Sequence, residues 1–352
     1  MVLIRPFESK DSACIMDIEQ MCPQGDNRCA MGVKKTQDTV NRYGVYENSQ
    51  IKVAQKDDEV VGWIGWTLKT QKNRKYIYLA EVNVHPDYHR QGIATQLVKE
   101  VEDNALSHGA DHIYCYIYEP NDSSKSLFSS MGYSPVLDVY SAALSNYKTY
   151  DIPEVYKIKQ INKNEIKETV ELINDYYDGR EHFVPYNREN FQKYINHIQG
   201  YGLENFYVVK ENNKVVACGG LWDCSKYADF CFAREPTSWK VMKGVYDFFS
   251  HFTKVPYIPA EGEFFKMSML SNHAYRPENN GAIKALISYF NNLLLNDEKG
   301  YLLATLDPQD PLIVDLKDFQ PMVDIWSVFT KSFKEEIDEF DRFFVDVRDL
   351  IP

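Results

Sequence analysis

The chain has 352 residues and a mass of 41.0 kDa, which at roughly 150 residues per domain predicts two domains. With 39 Lys and Arg against 51 Asp and Glu, the net charge is −12 and the pI about 5.2; both halves are acidic, so the basic footprint that contacts with nucleic-acid phosphates require is missing. Apolar residues at 44% and aromatic residues at 14% supply enough bulk for packed cores and exclude a disordered chain. An acidic surface favours the approach of amines, although solubility alone explains it equally well. The opening MVLIRPFESK lacks the basic region and apolar run of a signal peptide. The most apolar later stretch, residues 285–295, is short and interrupted by Asn291 and Asn292. A cytoplasmic protein with no membrane partner is expected. The 7 cysteines contain no C-x-x-C, and none of the 8 histidines forms an H-E-x-x-H pattern. Buried reduced thiols and no metal are expected.

In chain order, LIRPFESKDSACIMDIEQM from Leu3 predicts a short strand and an amphipathic helix, with Asp11 near the helix start. IKVAQKDDEVVGWIGW from Ile51 predicts a hairpin turning at Lys56-Asp57-Asp58. A strand over 76–84, a loop, a helix over 91–107, a strand over 112–118 and a short helix over 123–130 follow, then a closing strand pair over 133–147. Residues 146–154, with Asp151-Ile152-Pro153, read as a linker. The pattern then begins again. KIKQINKNEIKETVELIND from Lys157 repeats the strand and helix, with Asn164 near the start, and FYVVKENNKVVACGGL from Phe206 repeats the hairpin 155 residues on. Two matches at one offset predict two copies of one domain, over 1–150 and 155–352.

The segment that carries chemistry is YLAEVNVHPDYHRQGIA, residues 78–94. It runs from a strand through a polar loop into a helix. The N–H groups of a helix's first turn have no partners within the helix, and the aligned peptide dipoles add positive charge there. A pyrophosphate placed at that end accepts those N–H bonds. Gly92 permits close approach, and Ala94 is the next-smallest side chain.

This constellation resembles the signature of the GNAT superfamily of N-acetyltransferases, Gln/Arg-x-x-Gly-x-Gly/Ala after a strand ending in Val and a following Pro. Val84, Pro86, Gly92 and Ala94 match; His89 stands where Gln or Arg is usual, with Arg90 and Gln91 beside it as alternative donors. The resemblance implies an α/β fold of the α+β kind, a mixed and mainly antiparallel twisted sheet flanked by helices, here in two tandem copies. It implies acetyl-CoA as the acyl donor, held by Val82, Asn83, Val84, His89, Arg90, Gln91, Gly92, Ile93, Ala94 and Thr95, with backbone groups of Asn83 and Val84 serving the pantetheine arm.

Residues 121–133, NDSSKSLFSSMGY, resemble the family's N-x-x-A-x-x-x-Y-x-x-x-G-F/Y segment. Asn121 falls at the pantetheine-contacting Asn, Ser124 replaces Ala, and Phe128 replaces the Tyr that in the family protonates the departing thiolate. Phe cannot donate a proton. Either the thiolate leaves unaided or Tyr116, Tyr118 or Ser126 serves; the plainer account of Tyr114, Tyr116 and Tyr118 is one packed sheet face. Glu81, three residues before Val84, stands near where relatives carry a carboxylate beside the substrate amine. A carboxylate there would take the proton that an alkylammonium must lose before attack, and partial burial would raise its pKa. The alternative is a strand Glu that faces solvent or pairs with Lys or Arg.

The second copy's counterpart, FFKMSMLSNHAYRPENNGAIKALISYF from Phe264, places Glu278 three residues before Gly281 and Ile283 where a small residue is wanted, after a loop longer by about three residues. A carboxylate repels pyrophosphate and a β-branched side chain obstructs it, so this copy is expected to be degenerate. The resulting expectation is an acyltransferase of class EC 2.3.1.- that moves acetyl directly to a primary amine on a small molecule or peptide, with Glu81 as base. The competing expectation is a non-catalytic acetyl-CoA-binding or regulatory module. The charge disfavours a nucleic-acid-associated enzyme.

Overall fold

The structure, a computed structural model, describes residues 2–334, 337 and 339–350. The first half contributes β1 (Leu3–Pro6), α1 (Ser12–Met21), β2 (Gln24–Gly25), β3 (Ala30–Lys35), α2 (Thr39–Tyr43), β4 (Ser49–Lys56), β5 (Glu59–Gln71), β6 (Arg74–Val84), α3 (Ile93–His108), β7 (His112–Tyr118), α4 (Asp122–Ser130) and β8 (Ser134–Ser145). The second contributes β9 (Lys157–Gln160), α5 (Ile166–Tyr177), α6 (Arg188–His197), β10 (Phe206–Glu211), β11 (Lys214–Trp222), β12 (Ala228–Arg234), α7 (Thr237–Phe249), β13 (Met267–Tyr275), α8 (Asn280–Asn296), β14 (Tyr301–Leu306) and β15 (Met322–Ser332).

The repeated hairpins are real, and one cause explains both turns. Asp57 and Asp58 have φ of 49° and 67°, and Asn212 and Asn213 have 49° and 63°. Two successive left-handed residues make the turn whose twist matches that of paired strands, and Asp and Asn tolerate that conformation best after Gly. The helix expected from residue 91 starts instead at Ile93, because Arg90 (φ 60°) and Gly92 (φ 75°) are left-handed and cannot enter the helical ladder. From there Ile93, Leu97, Val98, Val101 and Ala105, at helical spacing, are buried on the sheet.

A 12-stranded sheet runs β1-β4-β5-β6-β7-β15-β8-β14-β13-β11-β10-β9. Read inward from either end, the two halves present the same series, and at the centre they exchange their last strands. β15 pairs with β7 over Trp326↔Tyr118 to Ser332↔His112, while β8 pairs with β14 over Tyr301↔Ser145 to Leu306↔Tyr140. The closing strand pair expected over 133–147 is therefore a single long strand, and β8 finds its partners in the other half. Only β6 with β7 and β13 with β14 pair in parallel, so the sheet is mixed and mainly antiparallel, as the resemblance implies. A 3-stranded sheet, β12-β3-β2, bridges the halves a second time. Among the described residues no helix is long and apolar enough to cross a membrane. The cysteines are free thiols; Cys14 is exposed rather than buried.

Candidate active site

β6 and β7 pair only from Tyr76↔His112 to Tyr78↔Tyr114. Beyond that point a bulge intervenes, because Gly65 faces Glu81 while Trp66 faces Leu79, which leaves Ala80 as the extra residue. A bulge bends its strand, and here the strands splay apart into a cleft of about 600 Å³ that ends at the first turn of α3. The cleft is lined by Glu81, Val82, Asn83, Val84, His89, Arg90, Gly92, Ile93, Ala94, Thr95, Asn121, Ser124 and Phe128. Gln91 is the one expected donor-site residue outside it. That side chain is exposed, accepting from Lys56 at 3.2 Å.

The α3 N-terminus fits an anion. No side chain caps it, and a Cβ built on Gly92 meets no atom within 4 Å. Glycine is required here by its positive φ as well as by the room it leaves. His89 does not reach toward the cradle; its Nε2 lies 2.8 Å from the Val84 carbonyl, which also accepts from Cys22 Sγ at 3.2 Å. His89 thus braces the loop, and the Val84 carbonyl expected to serve pantetheine is already engaged. Asn121 caps α4 by accepting from the Ser124 N–H at 3.1 Å, which leaves its amide N–H groups for the cleft. Phe128 is 3% exposed and packs edge-on against Tyr133. Of the expected substitutes for the acid, Ser126 is exposed, Tyr118 lies 3.4 Å from Cys29 Sγ, and the Tyr116 hydroxyl is buried with no partner among the described residues.

Glu81 pairs with Lys35 of β3 at 2.9 Å, with the two side chains only 10% and 5% exposed, and its other oxygen accepts from Asn83 at 3.3 Å. A carboxylate has about four lone-pair positions, so room remains for a substrate proton. Lys35 was not legible as a site residue, because nothing in MGVKK marks a strand that folds over the cleft. Behind this pair Glu19 accepts from Arg42 at 2.7 Å, both fully buried. Burial and then the like charge of Glu81 push Glu19 up to about 8; attraction to Arg42 and Lys35 does not offset them. A carboxyl with a raised folded-state pKa stabilises the fold fully below its unfolded value, near 4.3, and that contribution is lost as the pH rises through 8. Unfolding stability of the wild type should therefore fall between pH 5 and 9 more steeply than that of Glu19→Gln, by up to about 1.4 kcal/mol per pH unit. Parallel slopes in denaturant titrations across that range would contradict this reading.

In the second half β13 is followed by only four residues, 276–279, before α8, whereas residues 85–92 separate β6 from α3. The loop is shorter, not longer. Ile283 is 0% exposed in the core, so it obstructs nothing. Other groups fill the place. A Cβ on Gly281 would lie 2.6 Å from the Tyr156 hydroxyl, and Asp315 at the same end accepts from Tyr275 at 2.7 Å and Asn280 at 3.4 Å. With a carboxylate and a phenol at this helix start, titration calorimetry should give one acetyl-CoA per chain, and two equivalent sites would contradict it.

A second cavity of about 270 Å³ adjoins the cleft between the halves; Gln24, Ala80, Glu81, Tyr116 and Tyr118 line both. Among the described residues no cluster of His, Cys, Asp or Glu could hold a metal.

Residues 15–133 match the family model described as acetyltransferase (GNAT) family. No curated protein sequence matches the chain significantly. Among solved structures the chain is similar to a GCN5-related glucosamine N-acetyltransferase region in a fungal multi-domain GH3 β-N-acetylglucosaminidase (TM-score 0.64, 13% identity). That alignment covers 94% of this chain and 38% of the other, so this chain spans well under half of that protein. It is similar to a GCN5-related N-acetyltransferase from Sphaerobacter thermophilus (TM-score 0.61, 13% identity, 96% and 97% covered). It is also similar to a tandem GNAT protein from the clavulanic acid biosynthesis pathway (TM-score 0.59, 12% identity, 96% and 100% covered).

Proposed function

From a chain with the tandem GNAT fold, whose residues 15–133 carry the GNAT family domain, we propose an acyltransferase that moves acetyl from acetyl-CoA to a primary amine. The observation that carries this reading is the junction at Glu81. On one side lies a cleft ending at an uncapped helix start, on the other a cavity between the halves, and the carboxylate lines both. The donor's pyrophosphate takes the free N–H groups of α3. Glu81 takes a proton from the ammonium; the amine then attacks the thioester carbonyl, whose oxygen is polarised by backbone N–H groups. The C–N bond forms, the C–S bond breaks, the thiolate takes up a proton, and the second proton that the new amide nitrogen sheds returns to the group that protonated the thiolate. Tyr116 is the donor we assign, since its side chain lines both cavities and its buried hydroxyl has no partner among the described residues. Holding both reactants across one splayed strand provides proximity. The finer statements (acetyl as the acyl group, a primary amine as acceptor, Glu81 as base) rest on this geometry and on the family likeness.

Free thiol measured with acetyl-CoA and a panel of primary amines should appear faster than in the amine-free control. A rate that stays at the control level for every amine, in a protein that binds acetyl-CoA, would establish the non-catalytic module instead.

A further inference from the structure

The cavity between the halves has a composition that selects its occupant. Its walls are apolar and aromatic: Met31 from β3, Phe232 from β12, Trp239 from α7, Phe265 before β13, and Tyr118 and Trp326 facing each other across β7 and β15 with ring centroids 5.0 Å apart. Three carboxylates reach it, Glu81, Asp324 and Asp349. Glu81 has Lys35 as its partner. Asp349 has Lys69 and accepts from Tyr114 at 2.7 Å. Asp324, on β15, has no Lys, Arg or His within ion-pair distance among the described residues, and its one hydrogen bond comes from Tyr118 at a long 3.5 Å. Burial raises the proton affinity of this carboxyl, as it does for any carboxylate left without a cation.

We infer that this cavity is the acceptor site and that Asp324 binds a second cationic group, at the far end of an apolar acceptor whose amine lies at Glu81. The inference rests on the acyl-transfer reading and deepens it to a substrate class: diamines, or amines bearing another cation, with a compact apolar body. A cation beside Asp324 satisfies this half-buried charge, and the aromatic residues Trp326 and Trp239 in the same lining favour it further. A long acyl chain from the donor is the other apolar occupant, but it would bury the Asp324 carboxylate with nothing to neutralise it. The assignment also gives the second half a task, because Asp324 and most of the aromatic wall come from it.

Two probes differ by a single terminal ammonium: p-xylylenediamine and 4-methylbenzylamine. With acetyl-CoA as donor, kcat/KM for the diamine should exceed that for the monoamine at least tenfold, since a site built to bond a substrate N–H rejects the analogue lacking it. In Asp324→Asn, close to isosteric, the ratio should fall to about 2, the statistical factor for two equivalent amines. A wild-type ratio of 2 or less, or an unchanged ratio in the variant, overturns the inference and leaves acyl transfer standing. Turnover of neither amine, together with calorimetric binding of p-xylylenediamine that Asp324→Asn weakens tenfold, would uphold the site and overturn the acyl-transfer reading. Faster use of octanoyl-CoA by Asp324→Asn than by wild type, with the amine ratio unmoved, would assign the cavity to the acyl chain and overturn the inference. Acetyl-CoA affinity serves as the check that the variant is folded; should it fail, the wild-type ratio decides alone.

Discussion

Gly92→Glu should abolish measurable binding of acetyl-CoA while the protein stays folded. Gly92 is the last residue before α3, with φ of 75° and no atom within 4 Å of where its Cβ would lie. The first side-chain atom of a residue placed there therefore meets no protein. Its cost to stability is that of a non-glycine residue in the left-handed region, about 1–2 kcal/mol. Its effect on the ligand is much larger. The new carboxylate stands in front of the N–H groups that would receive the pyrophosphate, and two unit charges 4 Å apart repel by about 4 kcal/mol at an effective dielectric constant of 20. That corresponds to a loss of affinity on the order of 10³-fold. Calorimetry read beside a thermal melt separates the two effects. Wild-type affinity in a folded Gly92→Glu protein would remove the cradle from the account.

Glu81→Gln should lower turnover by about 10²–10⁴-fold, the contribution of a positioned general base, with little change in acetyl-CoA affinity, because the carboxylate acts on the acceptor side of the junction. The substitution also removes the 2.9 Å ion pair between Glu81 and Lys35, in a nearly buried setting. A purely structural role for the pair would therefore show as lost stability with a parallel loss of donor affinity. The two roles separate when turnover is read beside a thermal melt and acetyl-CoA calorimetry: loss of the base lowers turnover alone, whereas a structural role lowers all three. Tyr116→Phe is the companion change, removing only a hydroxyl. It should slow thiolate release without altering acetyl-CoA affinity, and since a thiol's ordinary pKa is near 8.5 the loss should be smaller than that from Glu81→Gln. Wild-type turnover in Glu81→Gln would place the base elsewhere or mean that the amine arrives neutral.

What was legible beforehand follows from the range over which each feature is encoded. The two Asp57-Asp58 and Asn212-Asn213 hairpins, α3 and β7 are local: turn chemistry, a 3.6-residue period and a β-forming run specify them within a few residues. The loop, the left-handed Gly92 and the uncapped start of α3 were legible for the same reason, since they are contiguous. The exchange of β8 and β15 was not, because each reads as an ordinary last strand and nothing in its alternation says which half it joins. That exchange brings Asp324 of β15 across from Ser141 of β8 and into the cavity that Glu81 also lines, so this cavity was invisible for a topological reason. Lys35 was missed likewise, because β3, which carries it, pairs with β12 about 190 residues further along the chain. The second half's loop was misjudged because β13 continues to Tyr275 and α8 already starts at Asn280, so the strand takes up most of what reads as loop.

A crystal structure with acetyl-CoA bound tests the central claim most directly. The account predicts one donor molecule per chain, its pyrophosphate on the N–H groups of residues 92–95 at the start of α3, its pantetheine arm between β6 and β7, and its thioester at the junction lined by Glu81 and Tyr116. A pyrophosphate at the start of α8, or a thioester directed away from the cavity between the halves, would contradict it.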